Sequence, residues 1–202
     1  LATPDDPQSV TELLAAANIT AIPTGIQHGT ITAVVEGDHF EITSLRRDVE
    51  TFGRRARVEF TEDWLADAGR RDFTINALYC DPDGMLFDPT GGCEDLSAGH
   101  IRFVGNPNDR IREDFLRILR YFRFLAWYGQ SPPDRNAIAA CAHLAPAMVG
   151  LSGERVAAEL FRLLAAPNPA PVVEIMVRQG ITKAVTPELL RVDRLRSLCE
   201  FE

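Results

Sequence analysis

Residues 112–124, with the sequence REDFLRILRYFRF, carry charged side chains at a regular spacing. Projected at about 100° per residue, positions 111–126 predict one helix with an apolar stripe and an opposite polar face. Residues three apart on a helix are neighbours, so Asp114 and Arg117 are expected to lie side by side. Taken alone, the pattern is typical of a solvated amphipathic helix held by ion pairs. The charged residues after Arg112 are Glu113, Asp114, Arg117, Arg120 and Arg123.

The composition is that of an ordinary folded protein, with 46% hydrophobic and 25% charged residues. A net charge of -8 provides no overall positive field, so any contact with nucleic acid would depend on local patches. No apolar run reaches membrane-spanning length, and no signal peptide is visible. Four widely spaced cysteines without a CxxC pair predict reduced thiols in a cytoplasmic protein.

The chain changes character near residue 105. Before it, the runs GTITAVVEG, HFEITSL and FTINALYCD predict strands, and SVTELLAAAN predicts a helix with Ser9 as its N-cap. The charged stretch 46–71 between strands predicts a loop in part. After residue 105 the pattern is helical, with one helix ending at Gly129 and another beginning at Ser152. We therefore expect an α+β part followed by an all-α part.

Several short motifs follow one another in a characteristic order: GIQHGT, FEITSLRRDVE, RRDFTINA, DPTGG, EDFLR and LSGERVAAELFRLL. This order resembles the class II tRNA nucleotidyltransferases (CCA-adding enzymes) and the bacterial poly(A) polymerases, members of the DNA polymerase beta-like nucleotidyltransferase superfamily. The resemblance extends from Leu1 to about Ala166. It implies a polymerase beta-like head, a mixed sheet with flanking helices, followed by helical segments. The expected ranges are the head at 1–107, a nucleotide-selecting neck at 108–166 and the start of a helical body at 167–202.

The resemblance implies that the arginine helix selects C and A over U and G. The pairing edges of C and of A both offer an amino donor beside a ring-nitrogen acceptor, whereas U and G present the reverse order. A carboxylate at Asp114 and a guanidinium at Arg117 would match that edge, each contact discriminating by about 1–3 kcal/mol. Arg120 and Arg123 would grip the nucleotide and its phosphates. Support of the same site is expected from Arg70, Glu113, Glu154 and Arg155.

The motif at 70–77 is expected to contact the sugar and phosphates. By resemblance, Arg71 helps to bind the nucleotide, Asp72 meets the ribose hydroxyls and Asn76 supports the sugar–phosphate region. The alternative is that the run simply enters a strand. Both can hold, because alternation along a strand would bury Phe73 and turn the polar residues to the other face.

Glu41 is the candidate metal ligand and catalytic carboxylate. On an alternating strand its side chain opposes Phe40 and Ile42, which are expected to be core residues. The resemblance implies two Mg²⁺ ions, held by two aspartates of a D-x-D on the preceding strand and by a third acid on a neighbouring strand. Glu41 fits the third position. The alternative is an exposed strand glutamate.

The family's D-x-D and its glycine-rich phosphate loop come just before a segment similar to LATPDDP, with which this chain starts. We therefore expect both upstream of Leu1, and we expect this chain alone to be inactive. Asp5 and Asp6 are adjacent in a proline-flanked loop, so their side chains cannot share a strand face and are not substitutes.

The expected function of the complete protein is the template-independent transfer of CMP or AMP from CTP or ATP to the 3′ end of tRNA. A poly(A) polymerase or an enzyme adding only A or only C stays open, because the motifs overlap. A non-catalytic fragment that binds nucleotide or RNA is the alternative of another class. The sequence says nothing about oligomeric state and predicts no membrane partner.

Overall fold

The structure is a computed structural model. It describes residues 1–52, 55–186 and 191–201, with the backbone alone at 48–52, 55–58, 200 and 201. Four N-terminal strands are β1 (Ala2–Thr3), β2 (Thr20–Gly25), β3 (Thr30–Val35) and β4 (Asp38–Ser44). They form one sheet in the order β1-β4-β3-β2, in which β1 is parallel to β4 and the other neighbours are antiparallel. The predicted mixed sheet is confirmed.

A tight hairpin sets the register between β3 and β4. Glu36 and Gly37 take φ values of 53° and 92°, as both central residues of a type I′ turn require. Glycine adopts this conformation without a steric penalty. The resulting register places Thr32 opposite Glu41.

Helix α1 (Pro7–Ala16) begins earlier than the sequence indicates. Its N-cap is Asp6, whose carboxylate accepts hydrogen bonds from the backbone of Gln8 at 2.8 Å and of Ser9 at 3.0 Å. The prediction of Ser9 as N-cap is therefore wrong, because proline in the first turn favours an earlier start. These hydrogen bonds, the one from Ser9 first, lower the pKa of the Asp6 carboxyl.

The charged stretch that was expected to be partly a loop contains a hairpin and a helix. The hairpin pairs β5 (Arg46–Phe52) with β6 (Arg55–Phe60) in antiparallel fashion, and α2 (Trp64–Gly69) follows. The carboxylate of Asp63 caps α2 through the backbone of Leu65 at 2.8 Å. High charge is compatible with a strand whose outer face is solvated. Residues 53 and 54, where the expected loop would join β5 to β6, lie outside the described residues.

The run FTINALYCD does not form the predicted strand. Phe73 is extended and forms an isolated antiparallel bridge with Phe103, Thr74–Asn76 is a turn of 3-10 helix, and Tyr79–Cys80 (β7) is a strand paired with Leu86–Phe87 (β8). Phe73 is fully buried, as expected. The polar residues do not share one strand face, however, because the turn folds the backbone of Asn76 back to the Phe73 carbonyl at 2.9 Å.

The rest of the described chain is helical. Its principal hydrophobic cluster lies between Phe73 and Ile181 and includes fully buried aromatic side chains at Phe103 and Tyr121. Gly129 ends the arginine helix as predicted. The helices are α3 (Gly92–Ala98), α4 (Pro107–Glu113), α5 (Leu116–Tyr128), α6 (Arg135–Leu144), α7 (Gly153–Leu164), α8 (Ala170–Arg178) and α9 (Val192–Phe201).

The predicted single helix over 111–126 is broken at Asp114. This residue is extended, with φ of −153° and ψ of 108°, and it separates α4 from α5. Its carboxylate accepts a hydrogen bond from the backbone of Leu116 at 3.1 Å. An aspartate that binds nearby backbone amides competes with a continuous helix, which explains the break.

The residue contacts divide the chain into two compact units, Leu1–Arg70 and Arg71–Glu202. The domain boundaries proposed at 107 and 166 from the sequence remain predictions. In the described part of the chain, no helix is both long and apolar enough to cross a membrane. The four cysteines are free thiols.

Candidate functional site

Asp72 lies at the centre of a hydrogen-bonded group in the second unit. The residue is 8% exposed. One carboxylate oxygen accepts from the backbone of Phe73 at 3.0 Å and from the Asn76 amide at 2.9 Å. The other accepts from Nε of Arg120 at 2.6 Å and from its Nη2 at 2.5 Å. Three predicted site residues, 48 positions apart at the extremes, are therefore brought together.

A second buried carboxylate, Glu159 on α7, lies close to two arginines of α5 and to one of its own helix. It is 4% exposed, and its Oε2 accepts from Nε of Arg123 at 2.7 Å. Its Oε1 lies 3.8 Å from Arg120 and 3.4 Å from Arg162. Such a carboxylate is tolerated inside a protein because it is paired. The Arg123 guanidinium also stacks over the Phe124 ring at 4.4 Å.

The side chains of Asp114 and Arg117 each pair with a different partner. Asp114 Oδ2 accepts from Arg155 at 2.6 Å. Arg117 donates to the Glu113 carboxylate and, at 2.8 Å, to the backbone carbonyl of Arg110. The two residues are neighbours through the backbone, because the Arg117 N–H donates to the Asp114 carbonyl at 2.9 Å. Asp114 is extended and lies outside α5, and no ion pair between the two side chains is recorded among the described residues.

Glu113 and Arg155, two of the four residues predicted to support the site, contact base-reading candidates. Glu113 holds Arg117 and also Arg110, and Arg155 holds Asp114. Glu154 is exposed in the first turn of α7, and the structure records no partner for its carboxylate within the described residues. A negative charge there suits the positive end of the helix dipole.

The two arginines at 70 and 71 lie in different surroundings. Arg70 belongs to the first unit, where it binds the fully buried carboxylate of Asp67 at 2.5 Å and the backbone carbonyl of Arg46 at 2.9 Å. These contacts anchor Arg70, and its support of the nucleotide site remains a prediction. Arg71 belongs to the second unit and has its guanidinium 5.4 Å from the centre of the Tyr79 ring.

Glu41 projects from β4 with an exposed side chain, opposite Thr32 of β3. Ile42 beside it is partly buried, whereas Phe40 is 45% exposed. The expected burial of Phe40 is therefore wrong. Alternation predicts which face a side chain takes but not whether another element covers it.

Comparison with known proteins gives a consistent result. The sequence model described as "Poly A polymerase head domain" matches residues 1–102, and one described as "Probable RNA and SrmB- binding site of polymerase A" matches residues 133–192. The chain belongs to the family of class II CCA-adding enzymes and poly(A) polymerases.

Curated and solved relatives extend this likeness over most of the chain. The mitochondrial CCA tRNA nucleotidyltransferase 1 of Homo sapiens is 48% identical over 166 residues, which is 81% of this chain and 38% of that protein. The CCA-adding enzyme of Geobacillus kaustophilus is 35% identical over 89% of this chain and 45% of its own length. The crystal structure of the Bacillus stearothermophilus CCA-adding enzyme in complex with CTP superposes with a TM-score of 0.84 at 28% identity, covering 96% of this chain and 47% of that one.

The chain thus spans less than half the length of the CCA-adding relatives that it matches. Nucleotidyltransferases of this kind generally use divalent metal ions. In the described part of the chain, no three His, Cys, Asp or Glu side chains lie close enough together to hold a metal. The exposed Glu41 carboxylate has no recorded side-chain partner there, so the residues fit one metal ligand and not a whole metal centre.

Glu159 is a member of this group of paired side chains that the sequence did not predict. Its signal was present in the motif LSGERVAAELFRLL, where it is the second glutamate. The sequence prediction instead named Glu154 and Arg155 at the start of the helix. In the structure Glu159 is buried and paired with Arg123, whereas Glu154 is exposed.

Proposed function

We propose that the complete protein is a CCA-adding enzyme, which transfers CMP and AMP from CTP and ATP to the 3′ end of tRNA without a template. The family assignment supports this, as do relatives that bear that name. This chain would supply the part that binds and selects the nucleotide. The two predicted ranges 108–166 and 167–202 are proposed as neck and start of the body.

The observation that carries the proposal is the way the arginine row is held. The side chains of Arg117, Arg120 and Arg123 are only 14%, 30% and 16% exposed, and each is paired with a carboxylate. A merely solvated face would resemble Arg178 on α8, whose side chain is 74% exposed. Aligned, partly desolvated guanidinium groups suit the binding of phosphates and base edges.

Asp72 must lose one of its present hydrogen bonds before it can bind a ribose hydroxyl. A carboxylate has about four lone-pair sites, and four donor groups, from Phe73, Asn76 and Arg120, already point at this one. Phe73 and Asn76 belong to the turn that follows Asp72 in the chain, whereas Arg120 comes from α5 and its side chain is 30% exposed. We therefore propose that a nucleotide displaces Arg120 from Asp72, freeing one oxygen for the sugar and the guanidinium for a phosphate.

Asp114 and Arg117 are proposed to read the base as two separately anchored groups. Arg155 holds the first and Glu113 holds the second. Anchoring reduces the conformational entropy that each side chain loses when it meets a base. Asp114 retains a side chain that is 33% exposed, which leaves its carboxylate access to a ligand.

For the chemistry, we propose two Mg²⁺ ions in the complete protein, with Glu41 as one carboxylate ligand. When bound, such ions activate the attacking hydroxyl and neutralise the leaving pyrophosphate. The remaining contribution of this chain is to position and neutralise the triphosphate, since phosphoryl transfer needs little covalent help from protein groups. Its cellular location, expected to be cytoplasmic from the cysteines, remains a prediction.

The test is incorporation by the complete protein into a tRNA transcript that lacks its terminal CCA. With CTP alone we expect addition of two C residues, with CTP and ATP a complete CCA end, and with UTP or GTP no product. Long A tails on unrelated RNA would instead identify a poly(A) polymerase. Binding of CTP without incorporation under any metal condition would favour the non-catalytic alternative.

A further inference from the structure

A third buried carboxylate, Asp95 on α3, belongs to none of the groups described above. It is 5% exposed. Its Oδ2 accepts from the Thr74 hydroxyl at 2.5 Å and from Nε of Arg102 at 2.9 Å. Its Oδ1 lies 3.4 Å from Nδ1 of His100. Burial of a carboxylate is costly unless it is paired, so an arrangement this specific requires an explanation.

The cluster holds the turn from which two nucleotide-site candidates project. Thr74 begins the 3-10 turn, and Asn76 ends it. The Thr74 backbone donates to the Arg102 carbonyl at 3.0 Å, and the backbone of Val104 donates to the Asp72 carbonyl at 3.0 Å. The Thr74 hydroxyl bonded to Asp95 therefore adds a side-chain tether to a turn whose backbone is already fixed on one side.

The opposite side of the same turn is in close contact with the start of α3. A Cβ at Gly92 would lie 2.3 Å from the Thr74 carbonyl oxygen. Thr90 also donates its hydroxyl to this oxygen at 3.3 Å. Contact this close leaves little room for Thr74 to shift, and the backbone approach is possible only because residue 92 is glycine.

We propose that Asp95 is a positioning residue for nucleotide binding. Through Thr74 it fixes the turn that keeps Asp72 and Asn76 in register for the sugar of the incoming nucleotide. The inference rests on the proposed function and adds to it a residue from α3 that does not touch the nucleotide. Its specific consequence concerns the ribose, because Asp72 is the proposed acceptor of the sugar hydroxyls.

The test compares Thr74→Val with Thr74→Ser in the complete protein. Valine keeps the shape of threonine but lacks the hydroxyl, whereas serine retains it. For Thr74→Val we expect KM for CTP to rise about tenfold, with kcat nearly unchanged, as for the loss of one hydrogen bond that orders a binding group. The preference for CTP over dCTP should fall by a similar factor. Thr74→Ser should keep KM for CTP and the sugar preference close to those of the unaltered protein. Thr11→Val, the same change in α1, should leave both quantities unchanged.

Asp95→Asn provides a second route, since it removes the charge that Thr74 and Arg102 share. It should shift KM and the sugar preference in the same direction as Thr74→Val. Circular dichroism melting monitors the fold of each variant. Unchanged KM and sugar preference in folded Thr74→Val, or in folded Asp95→Asn, would overturn the inference. Loss of folding in both variants would also count against it, because the cluster would then be a requirement of the fold alone.

Failure of the inference is distinguishable from failure of the proposed function. If the proposed function fails, the unaltered protein incorporates neither CMP nor AMP into tRNA. If only the inference fails, the unaltered protein is active with a measurable preference for CTP over dCTP. Thr74→Val then shows the same preference.

Discussion

Three carboxylates less than a tenth exposed, Asp72, Asp95 and Glu159, organise the polar interior of the second unit. Each binds an arginine from another segment of the chain. Removing one partner of such a pair leaves the other charge uncompensated, which is more damaging than losing an exposed ion pair. The residues most sensitive to substitution should therefore be these acids rather than the exposed acids nearby.

Glu159→Gln tests this directly, with Glu154→Gln on the same helix as the matched control. The substitution keeps the size of Glu159 but removes the charge that Arg123 faces at 2.7 Å. We expect the free energy of unfolding, measured with urea, to fall by about 2 kcal/mol. This is less than for a fully buried ion pair, because the arginine side chains are partly exposed to solvent. Glu154 is exposed, so its variant should lie within about 0.5 kcal/mol of the parent. Equal effects at both positions would contradict the role given to Glu159.

Asp114→Ala should change which nucleotide is incorporated more than how stable the protein is. Without the carboxylate, the amino group of C or A loses its acceptor, and UTP and GTP should be misincorporated about tenfold more often relative to CTP and ATP. Arg155→Ala should give a weaker effect in the same direction, since Asp114 would keep its charge but lose its anchor. Competition assays with pairs of nucleoside triphosphates measure this. Unaltered selectivity in Asp114→Ala would exclude base reading by that residue.

For single residues, the sequence predicted candidate members of the site but did not predict which side chains pair with one another. Asp72, Asn76 and Arg120 were all candidates, and the structure brings them together. The pairing of Asp114 with Arg155 was not predictable, because it joins residues 41 positions apart. Helical spacing concerns only near neighbours.

The elements differ from the predictions where a short polar side chain competes with regular structure. The break at Asp114 and the 3-10 turn at Thr74–Asn76 both lie inside runs whose apolar spacing predicts a continuous element. In each, an aspartate accepts hydrogen bonds from nearby backbone amides: Asp114 from Leu116, and Asp72 from Phe73. The spacing of apolar residues gives no information about such local side chain to backbone hydrogen bonds. The longer amphipathic helices α5 and α7 were predictable, because their apolar positions recur over several turns.

The contact between α3 and the turn at Thr74 predicts a sharp difference between two glycines. Gly92→Ala would place a Cβ 2.3 Å from the Thr74 carbonyl oxygen, so we expect a loss of about 1–3 kcal/mol in urea unfolding. At Gly153, which begins α7, a Cβ would meet no other described residue within 4 Å, its chain neighbours and its own helix backbone aside. Gly153→Ala should therefore be neutral or stabilise by about 0.4–1 kcal/mol. A Gly92→Ala variant as stable as the parent would mean that α3 can move away from the turn.

Most of the buried apolar side chains of the chain lie in the second unit. Every residue of the principal core cluster lies between Phe73 and Ile181, within the second unit. Among the described residues, the buried apolar side chains of the first unit are Pro7, Val10, Ile31, Ala33, Leu45 and Ala68. A segment of that size with so few buried side chains is marginal by itself, because a small domain buries too little surface to offset its conformational entropy.

We therefore expect residues 71–202, expressed alone, to unfold in one cooperative urea transition, and residues 1–70 alone to show none. The reactivity of two cysteines of the second unit shows whether the fragment 71–202 folds. Burial raises the pKa of the Cys141 thiol far above its usual value, which lowers the fraction of reactive thiolate at any given pH, whereas Cys80 is exposed. Iodoacetamide at pH 8 should label Cys80 in the folded fragment and reach Cys141 only as urea unfolds it, as peptide mass mapping would show. Equal labelling of both thiols without urea would mean that the core does not form in the absence of residues 1–70.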